Sequence, residues 1–429
     1  MILFFQVHRN RDPALHPLER AREYTKALVA TKLDKILAKP FIGALDGHTD
    51  GIFCMSTIRN KDSPFISGAC DGELKIWDLS RRMNVWSTIA HSGFVRGISP
   101  DCSGRTFFTC GDDKTIKHWT LESSNSEEIQ PINVVTTPHS LTSIDHNWTD
   151  EQYATSGEVV SIWDYHRLEP IHTYKWGADS VTCLKYNPSE TYLIASAASD
   201  RSVALYDIRS SLPLRKFLLP MKTNCISWNP QEPINFLLAN EDFNVYQFDM
   251  RNLKHALMIH KDHISAVMSV AFSPTGREFA TGSYDRTVRL FHTTSGHSHE
   301  VYHGKRMQRV FCVSYSDDSR FVLSGSDDTN IRIWKTNASE SLAVIAGREQ
   351  RKLQLNQKLK KRYGHMPEIN RISKDHKVPK FIKKAQQLRH VQRQSEHRKE
   401  ENRKRHSSRS ADGLADEPER KRAVIKEFE

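Results

Sequence analysis

The sequence predicts an all-β fold: a seven-bladed β-propeller with an N-terminal helical arm and a basic, mainly helical C-terminal extension. Three observations carry that prediction. One kind of segment recurs seven times at a near-constant period, the strands within it alternate, and the β-like apolar patterning stops near residue 340, where the charge balance also turns. At 429 residues and 38% hydrophobic content, the chain has enough apolar side chains for a sizeable core.

The recurring segment is a run of small residues, a tight turn with Asp, then an alternating strand ending in an aromatic. It reads SGACDGELKIWDL at 67–79, TCGDDKTIKHWTL at 109–121 and SGSDDTNIRIWKT at 324–336. The seven aromatics are Trp77, Trp119, Trp163, Tyr206, Phe248, Phe291 and Trp334, spaced by 42, 44, 43, 42, 43 and 43 residues. Alternation such as Leu74-Lys75-Ile76-Trp77 suits a half-buried pleated strand. A single blade of this kind cannot bury its faces alone, whereas seven around an axis can.

These residues resemble the WD40 repeat family, with four strands per blade, over residues 41–336. The resemblance implies a structural polar network. The turn Asp stands six residues before the aromatic as Asp71, Asp113, Asp200, Asp242, Asp285 and Asp328, while the third blade has Gly157 there and so a shortened or rebuilt turn. The partner His stands four residues before an apolar position as His48, His91 and His263; Gly177 and Arg306 take its place in the fourth and seventh blades. A carboxylate near an imidazole resembles half a catalytic dyad, but its repetition identifies it as structural. Closure of the ring falls to Phe41-Ile42-Gly43-Ala44-Leu45, because the alternative, Leu342–Ile345, lies in helical surroundings.

On the N-terminal flank, Pro17 before Leu18-Glu19-Arg20 marks a helix start, Ala21, Tyr24, Leu28, Leu33 and Leu37 form a rough apolar stripe, and Pro40 ends it. That helix is either packed against the propeller or a docking arm for another protein or RNA. On the C-terminal flank, residues 338–362 read as a second helix with a basic end. Pro367 and Pro379 break the next stretch into short pieces, and a third basic helix runs from Pro379 toward Arg405. The resulting division is 1–40 as N-terminal arm, 41–337 as propeller, 338–405 as basic helical extension and 406–429 as linker or disordered tail.

Net charge obeys the same division. The chain carries +11, but residues 1–40 hold +4, residues 41–345 hold −6 and residues 346–429 hold +13. The basic character belongs to the ends, which suits arms that bind phosphate beside a mildly acidic scaffold.

The strings LHPLERAREYTKAL (15–28), ATKLDKILAKPF (30–41), QKLKKRYGHMPEINRIS (357–373) and HKVPKFIKKAQ (376–386) are similar to those of the WD-repeat and SOF-domain-containing family. That resemblance implies a nucleolar, non-enzymatic assembly factor of the small-subunit processome, acting in pre-rRNA processing toward 18S rRNA. The implied neighbours are processome proteins, pre-rRNA and the U3 small nucleolar RNA, with the chain a monomer inside a large complex. The basic tail offers Lys358, Lys360, Lys361, Arg362, Arg371, Lys374, Lys380, Lys383 and Lys384 as phosphate contacts. No RNP1-like or KH-type motif is present, so shape and phosphate contacts are expected rather than base reading. Arg403-Lys404-Arg405 and Arg420-Lys421-Arg422 read equally as nuclear import signals.

A second class of function stays open. Tyr206-Asp207-Ile208-Arg209 and Phe248-Asp249-Met250-Arg251 resemble the aromatic-Asp-x-Arg ending of WD proteins that serve cullin-4 RING ubiquitin ligases as substrate receptors. Asp207, Arg209, Asp249 and Arg251 are then the candidate adaptor contacts. An enzyme is the third class, and the sequence has no Walker loop, GxSxG or HExxH and no paired Cys/His zinc spacing. No cofactor and no metal are expected. No run approaches 18 apolar residues, the apolar start Met1–Phe5 is too short for a signal-peptide core, and the seven widely spaced cysteines read as reduced thiols of an intracellular protein.

Overall fold

A computed structural model of the chain describes residues 16–58, 64–121, 130–175, 179–210, 212–406, 420 and 423–428. It contains two compact units, residues 41–336 with 378–429 and residues 1–40 with 337–377.

The first unit is a propeller of seven antiparallel sheets. Six blades run in chain order over Ile52–Ile89, Val95–Thr136, Ser143–Tyr174, Val181–Leu218, Thr223–Lys261 and Val267–Tyr302. The first strand of each lies beside the first strand of the next, and the ring closes where Ile52–Thr57 meets Val310–Tyr315. The seventh blade takes three strands from Val310–Lys335 and its fourth from Phe41–Leu45. The register there is Phe41 to Trp334, Gly43 to Ile333, Ala44 to Arg332 and Leu45 to Ile331. The core lies between blades: Leu45, Ile52, Phe65, Trp77, Leu323, Ile331 and Ile333 pack together across the seventh and first.

The turn aspartates explain the repeat's punctuation. The residue after each has positive φ: Gly72 (88°), Lys114 (62°), Arg201 (69°), Phe243 (72°), Arg286 (63°) and Thr329 (68°). In five of these turns the Asp carboxylate accepts the N–H two residues on, as from Thr115 to Asp113 (3.2 Å) and Ser202 to Asp200 (2.9 Å). The local bond stabilises a left-handed residue that a bulky side chain would otherwise avoid. Blade three, without this Asp, has the shorter turn: eight residues separate Trp163 from its hydroxyl partner Thr155, against ten in the first, second and seventh blades.

In the other unit, α1 (Glu19–Leu37) packs on α2 (Gly347–Tyr363) and α3 (Pro367–Ser373). The predicted stripe needs correction. Tyr24, Ala27 and Leu28 join Leu359, Tyr363, Met366 and Ile369, whereas Leu33 and Leu37 are 46% and 66% exposed. The five-residue step from Leu28 to Leu33 turns about 140° around a helix of 3.6 residues per turn and so leaves the buried face, which carries Ala27, Ala30 and Thr31 instead.

The extension expected as one piece over 338–405 divides near residue 377. Beyond Pro379, α4 (Lys380–His406) belongs to the propeller unit. The tail expected as a linker also differs. Lys426–Phe428 forms a fifth strand on the fourth blade, with Phe217 opposite Glu427, and Ala423 is buried beside Leu253 and Ala256. The short apolar Ala423-Val424-Ile425 comes after a polar stretch that gave no strand signal. Residues 407–419, with most of the expected linker, lie outside the described residues, as does Gly177. No helix among the described residues is long and apolar enough to cross a membrane.

Candidate partner and nucleic-acid interface

The repeat's histidines sit in buried polar chains. In the second blade Asp113 accepts from His91 Nδ1 (3.0 Å), His91 Nε2 meets Thr109 Oγ1 (2.9 Å), and Trp119 Nε1 donates to the same oxygen (3.0 Å). In the sixth, Asp285, His263 and Thr281 repeat this at 2.8 and 2.7 Å, with Phe291 in the Trp position. The first blade departs from the expected pair: His48 Nδ1 meets Glu73 (3.2 Å), Nε2 meets Ser67 (2.6 Å), and Asp71 takes the Thr49 hydroxyl instead. Burial lowers the pKa of His48 and His91, so both are set to be neutral at neutral pH. Asp200 pairs with Lys216 (3.1 Å), Asp328 with Arg332, and Asp242 takes the Tyr246 hydroxyl. These groups tie turns to strands.

The sequence reading missed a further cluster. Tyr165 donates to Asp101 (2.9 Å) and meets His146 Nε2, and Asp101 stands 3.5 Å from that nitrogen. Bonds from Ser103, Cys102 and Tyr165 outweigh the upward push of burial and bring the Asp101 carboxyl down to about 2. The His146 side chain is fully buried and that of Asp101 9% exposed.

The nine basic candidates divide by what they touch. Lys360 pairs with Asp34, and Arg362 donates to Glu23 (3.0 Å), which also accepts from Tyr363 (2.8 Å). These two cations hold α2 to α1. Lys358, Lys361, Arg371, Lys374, Lys380, Lys383 and Lys384 are exposed and have no ion-pair partner among the described residues. On α4 the three lysines stand clear of the docked side, where Ile382 is fully buried, Gln386 donates to Asp262 O (3.2 Å), and Arg389 donates to His263 O (2.5 Å). The Arg389 guanidinium also lies 4.5 Å from the Phe243 ring, against the left-handed turn of the fifth blade. From His390 to Arg403 the helix is exposed on every side.

The two Asp-x-Arg motifs are not equivalent. Arg209 grips Asp207 with two nitrogens (3.0 and 2.7 Å) and lies 5.0 Å from the Tyr192 ring; its grip holds the Asp207 carboxyl below its usual range. At the second motif Asp249 accepts the Arg251 backbone N–H (2.8 Å), and Arg215 donates to the Arg251 carbonyl (3.0 Å). The exposed Arg251 guanidinium has no partner among the described residues.

Comparison with known proteins gives the same two halves. The model of the Sof1-like domain matches residues 336–424, and that of the WD domain, G-beta repeat, matches 39–78, 83–120, 168–207, 254–292 and 292–335. The chain is 49% identical over 403 residues to the DDB1- and CUL4-associated factor 13 of Gallus gallus and 46% identical to that of Homo sapiens, each time over 94% of this chain and 91% of the relative. It is 44% identical over 424 residues to Protein SOF1 of Saccharomyces cerevisiae, covering 93% of this chain and 87% of the relative.

Proposed function

The chain belongs to the Sof1-like family of WD-repeat proteins, and from that membership we propose that it is a non-enzymatic assembly factor of the nucleolar small-subunit processome. In this reading it acts in pre-rRNA processing toward 18S rRNA, next to processome proteins and U3-containing RNA. The observation that supports it most is the separation of cations within the extension: Lys360 and Arg362 are spent on α1, while seven others face solvent without partners among the described residues. Unpaired, exposed lysines on helices fit phosphate contact through counterion release. Val29, Leu33, Ile36 and Leu37 leave an exposed apolar stripe on α1, which fits a protein neighbour.

Charge reversal tests the basic surface without touching the packed sides of the helices. The variant K358E/K361E/K383E/K384E should keep the circular dichroism of the parent and lose co-sedimentation with U3-containing particles. In vitro, its RNA binding should depend less on salt, the slope of log K against log salt falling by roughly three for four single-strand contacts. Unchanged co-sedimentation would reject the tail as the RNA-facing element.

A second reading, a substrate receptor of a cullin-4 RING ligase, rests on the names of the relatives and on the exposed Arg251 side chain. Because Arg209 is consumed by Asp207, Arg251 is the residue available to an adaptor. R251A should remove adaptor pull-down while R209A mainly loosens its own turn. Equal pull-down by R251A and the parent would dismiss this reading.

A further inference from the structure

The seven repeats serve as controls for one another, since the same position occurs in every blade. The residue after the repeat aromatic is Asp in four blades, Thr120 in the second and Lys335 in the seventh. In the sixth it is His292, and its cross-strand partner is Glu278, where other blades hold such residues as Pro64, Leu193 or Asn235. The outer strand departs at the same place. Leu290 pairs with Glu300 and Phe291 with Ser298, so His299 is the extra residue of a β-bulge. The first and fourth blades have this bulge too, and there the extra residue is Val85 or Leu214. Bulges re-aim side chains, and here the re-aimed side chain is an imidazole.

The three departures converge. Glu278 Oε1 lies 3.2 Å from His292 Nδ1, and the His292 and His299 rings stack at 4.1 Å with planes 16° apart. One donor atom from each of the three residues lies within 4.8 Å of the others. Bonds of about 2.0–2.2 Å to a tetrahedral zinc set donors about 3.4 Å apart, so closing the set takes only small side-chain rotations. His292 is 45% and Glu278 22% exposed at the side chain, which leaves an entrance from solvent. The local sequence is dense in the same ligand, with His292, His297, His299 and His303 inside twelve residues.

We propose that Glu278, His292 and His299 form a binding site for a divalent transition-metal ion of the zinc class. Two imidazole nitrogens and one carboxylate oxygen suit zinc and its neighbours, whereas calcium and magnesium take all-oxygen sets. Three protein ligands leave the fourth position for water or for a side chain of a neighbouring protein. The ion would pin the second, third and fourth strands of the sixth blade together at the bulge.

Untagged full-length protein, titrated with Zn²⁺ against a chromophoric chelator, should bind one ion per chain. Co²⁺ should give the visible absorption of a four-coordinate nitrogen and oxygen site. The test variants borrow non-ligating residues that sister blades already carry, H292T, H299V and E278L, so the blade geometry is expected to survive, and circular dichroism checks it. Changes in residues that merely support ligands cost about 10–100-fold in affinity, so loss of a histidine ligand should weaken Zn²⁺ binding by about 100-fold or more. It should also abolish the Co²⁺ spectrum. Absence of stoichiometric binding in the parent overturns the proposal. So does binding that survives H292T/H299V, which would put the ion on other groups such as the cysteines.

Discussion

Deleting residues 1–45 should destabilise the propeller far more than deleting residues 1–40. The two truncations differ only by the strand Phe41–Leu45, which supplies the outermost strand of the seventh blade. Leu45 is 1% exposed and packs with Ile331, Ile333 and Trp77, and Phe41 sits edge-on to Trp334 at 5.5 Å. Burying one Leu contributes about 2 kcal/mol, the aromatic contact about 1 kcal/mol, and the ladder bonds a further few, for a loss of about 5 kcal/mol. Against an ordinary domain stability of about 5–15 kcal/mol that is a large fraction. Calorimetry should place the propeller transition of the longer deletion on the order of 10 °C lower. The uncovered edge Ile331–Lys335 should also promote aggregation. Equal transitions for the two truncations would show that Phe41–Leu45 does not close the ring.

That strand was legible from the sequence, and the reasons mark where sequence reading works. The repeat fixes which residues face inward, and the last blade lacks one strand of its own, so a terminal segment must supply it. The polar chains were half legible. Asp113 and His91 stand at fixed offsets, but Thr109, the hydroxyl that joins His91 to Trp119, is one small residue among many in its strand. His48 choosing Glu73 over Asp71 was not readable, because two carboxylates two residues apart both lie within reach and only the turn geometry decides.

The basic arm was legible as charge and illegible as contact. Nine cations look alike in one dimension. In three, Lys360 and Arg362 face α1 because they share the side of α2 that carries Leu359 and Tyr363, while Lys358 and Lys361 fall on the other side. Arg389, passed over as one more basic residue, proves to be an anchor: it falls one helical repeat after Ile382. The fifth strand on the fourth blade escaped notice because three residues are too few for an alternating pattern to register.

Acid should weaken the propeller in two separable steps, and His260 should dominate the first. Its ring is 1% exposed, edge-on to Phe279 at 4.7 Å and Phe291 at 5.6 Å, with Nδ1 donating to Ser295 O at 2.8 Å. Burial lowers its pKa to about 4, and the bond to Ser295 O only partly opposes this. The folded value lies below the ordinary value of about 6.5, so below pH 6.5 the unfolded chain binds the proton more tightly. The contribution is therefore complete above pH 6.5, falls as the pH drops through the window down to about 4, and reaches about 2 kcal/mol of loss at pH 5. Burial moves His48, His91 and His118 in the same direction, so their losses add in this window. The second step begins only near pH 4. The Asp285 carboxyl is brought down to about 2 by His263, Arg289 and Thr287 against the cost of burial, so its contribution is present above pH 4 and is lost on the way down to 2. Between pH 7.5 and 5 the protonation of His260 thus lowers stability, and H260F isolates its share. A phenyl ring fits between Phe279 and Phe291 but gives up the bond to Ser295, at about 1 kcal/mol at pH 7.5. Urea midpoints at the two pH values should then converge or cross: the parent starts more stable and falls further, while the variant starts lower and falls about 2 kcal/mol less. If both lose the same stability between pH 7.5 and 5, His260 is not the group that protonation turns against the fold.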